Sequence, residues 1–253
     1  AGLKEEFITV QNGVSRINCK LKSDTETEIN GMGPEILPKE MEQFFAQIEK
    51  LTSNDCLVLS GSAPKFAAGK DMKGDKTNQT SLLDSQSGIY CEIMKRCKEK
   101  GVRIVVDASG ESLRKTLEYR PFLIKPNQAE VEELFGVTIE SKEDAVIYGK
   151  KLKESGAQRV LISMGSKGAV YIGENAGYLC DAPKGILVNS VGAGDSMVAG
   201  YLQKILERCD EKEAFLQALC AGSASAFHDG FAKKQWIEEL KSQTISRLIS
   251  FSV

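Results

Sequence analysis

The sequence predicts an α/β protein in which a mainly parallel sheet is flanked by helices and preceded by a small antiparallel meander. From residue 37 onward, helical and strand-like runs alternate, the rhythm of a parallel sheet with helices on its faces. The strand runs, such as "VRIVVDASG" and "RVLISMG", are nearly continuous in apolar residues, as expected of strands covered on both sides. Before that point the pattern is one of short, alternating, β-prone stretches.

The opening stretch reads "FITVQNGVSRINCKLKSDTETEIN", with Asn12-Gly13 as a hairpin signal. From Arg16, the residues Ile17, Cys19 and Leu21 fall on one face and Arg16, Asn18, Lys20 and Lys22 on the other. A second alternating run, "TETEIN", completes a meander with a polar, largely basic face, which suits either a solvated surface or a phosphorylated ligand. Next, "PKEMEQFFAQIEKL" places Met41, Phe44, Phe45, Ile48 and Leu51 at helical spacing and leads into "CLVLSGSAP". A helix ending near "CKEKG" leads into "VRIVVDASG", "ESLRKTLEYR" into "FLIKPN", and "KEDAVIYGKKLKESG" into "RVLISMG". The loops at Gly61-Ser62, Asp107–Gly110, Asn127 and Gly165 then gather at the carboxyl ends of the strands, where such sheets bind ligands. We divide the chain into a meander (1–30) and an α/β core (31–253), with a polar, Lys/Gly/Ser-rich segment at 65–87 expected to be a flexible loop.

Composition excludes several classes. The 253 residues carry a net charge of -2, which gives no footprint for nucleic acid or an anionic membrane. The seven scattered cysteines contain no C-x-x-C pair, and with one histidine they point to reduced thiols rather than a zinc site. No apolar run reaches transmembrane length, and a cytoplasmic protein is expected. "PKFAAGKD" fails the Walker A pattern at both ends, and no G-x-G-x-x-G opens a helix after an early strand. His228 has no nucleophile beside it in "AFHDG" and reads as a surface histidine.

The stretch "NSVGAGDSMVAG" sets two glycines and an aspartate in front of an apolar helix-forming run. Glycine and aspartate are poor inside a helix but suit its start, where backbone N–H groups and the macrodipole hold anions. A Gly-rich loop with an N-capping Asp explains the same letters. "NQAE" (Asn127 to Glu130) is close to a capping box. "SMGSKGAVYI" suits a glycine-bearing hairpin turn.

Taken in order, "TEINGMGPEI", "SGSAP", "VVDASG", "IKPNQAEVEELFG", "LISMGSKGAVYI" and "VNSVGAGDSMVAG" resemble the ribokinase-like (PfkB) carbohydrate kinases, from about Arg16 to about Gly230. More closely they resemble the branch acting on fructose 1-phosphate and tagatose 6-phosphate. The resemblance implies a ribokinase-like fold with a β-lid and an ATP- and Mg²⁺-dependent sugar-phosphate kinase, with a non-catalytic binding protein as the alternative. It also implies roles residue by residue. Asp195 is the catalytic base, and the amides of Gly192, Ala193 and Gly194 hold the transferred phosphoryl group. Lys125, Asn127, Ser163, Gly165 and Gly168 lie along ATP, while Glu130 and Asn127 organise the metal. Arg16, Asn18 and Ser62 meet the sugar phosphate, and the lid forms a homodimer contact. The family's opening Asn-Pro-x-x-Asp strand and Gly-Gly-Lys-Gly-x-Asn segment have no counterpart in these residues, so an N-terminally incomplete sugar half is expected.

Overall fold

The computed structural model describes residues 4–22, 26–31, 33–61 and 86–253. The chain falls into two compact units, Ala1–Arg103 and Ile104–Val253.

In the first unit, β1 (Asn18–Lys22) pairs antiparallel with β2 (Glu26–Asn30) in the register Asn18↔Asn30 to Lys22↔Glu26. Ile17, Leu21 and Ile29 are exposed. The expected Asn12-Gly13 hairpin is not formed. Those residues make a bend, with Gly13 at φ +95° and set so closely against Pro34 that a Cβ there would stand 3.1 Å from the proline Cβ. A hairpin turn needs strands on both sides, and residues 4–17 contribute none.

Helix α1 (Pro38–Ile48) begins with proline at its first position, where a missing N–H costs nothing. The buried Glu40 carboxylate accepts the amides of Leu37 at 2.8 Å and Gln11 at 2.7 Å, which ties the N-terminal arm to the helix start. Strand β3 (Cys56–Ser60) and helix α2 (Gln86–Lys98) complete the unit. Arg96 of α2 lies 4.1 Å over the Phe45 ring and pairs with Glu92 at 2.7 Å. Most of the segment expected to be a loop at 65–87 lies outside the described residues; its last two residues, Gln86 and Ser87, open α2.

Strand β4 (Arg103–Asp107) leads into the second unit. There follow α3 (Gly110–Thr116), β5 (Leu123–Ile124), α4 (Gln128–Phe135), α5 (Lys142–Glu154) and β6 (Val160–Ser163). Next come β7 (Ala169–Ile172), β8 (Ala176–Cys180), α6 (Ala193–Leu206), α7 (Glu211–Ala226), α8 (Lys234–Thr244) and β9 (Ile249–Ser252). β4, β5 and β6 are parallel, with Val105 opposite Leu123 and Ile124 opposite Val160. The sheet continues antiparallel through β7, β8 and β9. "SMGSKGAVYI" is the tight β6–β7 turn, a single 3-10 turn at Gly165–Lys167.

The core of this unit consists of strand residues with no accessible surface, among them Val105, Leu123, Ile124, Leu161 and Tyr171. α7 is buried over most of its circumference, as a helix apolar all round must be. It packs so closely on α6 that a Cβ at Gly200 would stand 2.9 Å from the Gln217 carbonyl oxygen. The hydroxyls of Tyr171 and Tyr201, both fully buried, meet at 2.7 Å and satisfy each other, while burial raises the pKa of each phenol. No described helix is long and apolar enough to cross a membrane.

Candidate active site

The site grows from the carboxyl ends of β4, β5 and β6. Lys125 N donates to Val106 O at 3.1 Å and Ser163 N to Pro126 O at 3.1 Å, so the parallel ladder runs one step past the strands. A bridge between Asn127 and Ser163 closes it. Asp107, Lys125, Asn127 and Ser163 are therefore brought to one edge of the sheet by backbone pairing alone.

Asn127 is the N-cap of α4, extended at φ -87° and ψ 172°. Its Oδ1 accepts the Glu130 amide at 2.9 Å, and Glu130 Oε2 accepts the Asn127 amide at 2.7 Å. The capping box is real. It also fixes the Glu130 carboxylate, which burial holds above the usual carboxylate range. The Asn127 amide and the charge of Lys125 oppose that rise, and Asp107 adds to it.

Lys125 is buried, and its Nζ stands 3.0 Å from Asp107 Oδ1. Burial raises the Asp107 carboxyl; Lys125 pulls it down, and the charge of Asp195 pushes it further up. Taking two charges from water is costly unless the geometry is good, so such a pair marks a place where charge is wanted.

At α6 the N-cap is Gly192 at φ +77°, a left-handed conformation that favours glycine. Val191 N donates to Asn189 Oδ1 at 3.1 Å, and Ala193 N reaches back to Ser190 O at 3.3 Å. Of the three amides expected to meet an anion, that of Ala193 is thus engaged inside the turn by a long bond. Gly194 is narrow for another reason: a Cβ there would stand 3.0 Å from Lys125 Nζ. The ammonium of Lys125 lies against the helix start. Asp195 stands exposed in the first turn of α6, where the macrodipole favours a carboxylate.

Behind this charge cluster is a cavity of about 670 Å³, walled by Ser163, Gly165 and Gly168 on one side and by Gly194 and Met197 on another. The structure therefore joins Lys125, Asn127, Glu130, Ser163, Gly165, Gly168 and Gly192–Asp195 around one locality of the second unit. Arg16 and Asn18 belong to the first unit, both exposed, with Arg16 Nε donating to Asn18 Oδ1 at 2.7 Å. Ser62 lies outside the described residues.

Sequence reasoning put Asp107 among the loops at the carboxyl ends of the strands without giving it a role, and it missed Arg247. Asp107 had a signal, an acid closing the apolar run "RIVV" just before a Ser-Gly loop. Arg247, also on the cavity wall, had none. His228 is not a free surface residue. It is half-buried, stacked on Trp236 with centroids 3.7 Å apart, and bonded through Nδ1 to Ala224 O at 2.9 Å. None of the seven cysteines, all among the described residues, forms a disulfide, and no group of three or more candidate metal ligands occurs among the described residues.

A Gly-rich helix start with an acid in its first turn, a buried lysine beside it and a nucleotide-sized cavity behind describes a phosphoryl-transfer enzyme. The pfkB family carbohydrate kinase model matches residues 1–236, and the chain belongs to that family. It is a carbohydrate kinase, a transferase for which ATP is the co-substrate. The chain is 42% identical over 228 residues to a 1-phosphofructokinase of Bacillus subtilis, covering 90% of this chain and 69% of that protein. It is 31% identical to a D-tagatose-1-phosphate kinase of Bacillus licheniformis, over 94% of this chain and 72% of that protein. Among solved structures, phosphofructokinase-2 from Escherichia coli in complex with substrates and products matches with a TM-score of 0.71 and 25% identity, covering 87% of this chain and 67% of that one. The resemblance in fold is thus ribokinase-like, as the sequence implies.

Proposed function

We propose that this chain transfers the γ-phosphoryl group of ATP to fructose 1-phosphate, giving fructose 1,6-bisphosphate and ADP. The observation that carries the reading is the meeting of Lys125 with Asp107 and with Gly194 at the start of α6, Gly194 being itself part of the cavity wall. The triphosphate of a nucleotide in that cavity would run to this cluster.

Asp195 takes the proton of the sugar hydroxyl as its oxygen attacks the γ-phosphorus, and the bond to the β,γ-bridging oxygen of ADP breaks in line. The Lys125 ammonium and the amides of Gly192, Ala193 and Gly194 offset charge on the transferred group, Ala193 by exchanging its long bond to Ser190 for the anion. Ser163, Gly165 and Gly168 line the nucleotide.

The donor set also fits Mg²⁺, which binds through one or two carboxylates, water and substrate phosphates rather than an all-protein cage. Glu130 Oε1 is not used by the capping box, and Glu130 and Asp107 sense each other's charge. Glu130 would hold the ion through water; Asn127, its Oδ1 committed to the cap, would act by placing Glu130. When bound, the ion would supply positive charge that offsets the charge of the phosphates.

In this reading the meander to residue 30 is the lid and 31–253 the core, and Arg16, Asn18 and Ser62 would meet the sugar phosphate. The exposed Ile17, Leu21 and Ile29 support a homodimer through that lid. A cytoplasmic setting suits the free thiols and the substrates. The similarity to a D-tagatose-1-phosphate kinase makes tagatose 1-phosphate a sharper rival than tagatose 6-phosphate. The test is ADP release from Mg-ATP with each of the three sugars and with none. Release fastest with fructose 1-phosphate supports the reading, and a preference for either tagatose phosphate replaces the substrate. Release independent of any sugar overturns it.

A further inference from the structure

Arg247 lies in the 3-10 turn Ile245–Arg247 between α8 and β9, past the last residue of the family match. It is half-buried and forms part of the cavity wall. Its Nη1 donates to Ala182 O at 3.2 Å and its Nη2 to Gln243 O at 3.4 Å. The Ala182 carbonyl belongs to the strip 181–185 that follows β8 and forms another wall of the same cavity.

That strip is held from both sides. Lys142, at the start of α5, donates to Asp181 Oδ1 at 2.5 Å and to Lys167 O at 3.4 Å, which links it to the β6–β7 turn. Farther on, Gly185 lies so tightly on Phe227 that a Cβ would come within 2.3 Å of the ring. The Asp181 carboxyl is held below its usual range by Lys142 above all, with Arg247 adding to the effect. Between the Lys142 anchor and the Phe227 contact, Arg247 is the group that fixes the carbonyl at the middle of the wall.

We propose that Arg247 is a positioning residue for the nucleotide: by holding the Ala182 carbonyl it sets the wall against which the nucleoside rests. This rests on the cavity being the nucleotide site. Its consequence is selective, because a wall built from β8 and the C-terminal turn touches neither Asp195 nor the capping box. Nucleotide affinity should depend on Arg247, and sugar affinity and turnover should not.

The test compares Arg247→Ala, Arg247→Lys and Ser223→Trp, the last placing an indole into the cavity from α7. Binding of a fluorescent N-methylanthraniloyl ADP is titrated directly, and KM for ATP and for the sugar phosphate are measured beside it. Arg247→Ala is expected to weaken nucleotide binding about tenfold, as loss of a charged hydrogen-bond donor does. The sugar KM and kcat should change less than about twofold if the wall alone has moved. Arg247→Lys should recover part of the loss, since an ammonium can reach one carbonyl but not span two. Ser223→Trp should abolish binding. If it does and Arg247→Ala binds as the parent does, the inference is wrong and the site stands. If Ser223→Trp binds normally, the cavity is not the nucleotide site and both readings fall. Equal rises in both KM values with a lowered Tm and no rescue by lysine would show a merely structural arginine and overturn the proposal.

Discussion

A methyl group added at Gly194 would stand 3.0 Å from Nζ of Lys125, a residue whose own backbone sits at the end of β5. The absence of a side chain at Gly194 leaves the space beside the helix start that the Lys125 ammonium borders. Gly194→Ala separates catalysis from stability for that reason. Alanine improves helix propensity by up to about 1 kcal/mol, and the ammonium that it meets must shift against its bond to Asp107. We expect a Tm close to the parent's, the propensity gain offset by the displaced ammonium, and turnover lowered by about 10²-fold, the size of a lost transition-state hydrogen bond. Turnover equal to the parent's would separate Lys125 from the chemistry.

Asp195→Asn keeps the size and position of the side chain and removes the base. Turnover should fall by about 10²–10⁴, with nucleotide binding retained. Calorimetric titration of ADP beside the turnover assay checks both; a comparable loss of binding would make Asp195 a binding residue instead.

Lys125 and Asp107 form a buried pair at 3.0 Å, and breaking one side strands the other. Lys125→Met should cost about 3 kcal/mol or more in urea unfolding at neutral pH. Adding Asp107→Asn should restore much of it, since two neutral partners leave no unpaired charge. Turnover should stay low in both. Additive losses in the double variant would mean that the pair is not coupled.

Glu130 gives a pH prediction with a definite sign. Its carboxyl is raised in the folded state, chiefly by burial, so the native protein binds a proton that the unfolded chain has already released. Stability from this group is present at low pH and is lost as pH rises from the ordinary carboxylate value through the raised folded one. Glu130→Gln keeps an acceptor for the Asn127 amide and removes the titration. The Tm of the variant minus that of the parent should grow between pH 4 and pH 7, while the Mg²⁺ concentration needed for half-maximal turnover rises. A constant difference in Tm would assign the raised carboxyl elsewhere.

The α/β alternation, the capping box at Asn127 and the glycine helix start at Gly192 were legible because each is local. Periodicity reports which face is buried, a cap closes within three residues, and a positive φ favours glycine wherever it falls. The same locality explains two misreadings. Asn12-Gly13 has the letters of a hairpin but no strands to join, and His228 reads as isolated until α8 brings Trp236 across it. What the tertiary structure alone decided is which side chains of those separate stretches meet. Asp107 meets Lys125 because parallel β4 and β5 place their carboxyl ends side by side. Lys125 meets Gly194 only because α6 starts over that edge, and Arg247 reaches Ala182 because the last turn folds back onto the end of β8. Such meetings arise from strand pairing and the burial of apolar surface among segments tens of residues apart, and no pattern within one segment encodes them.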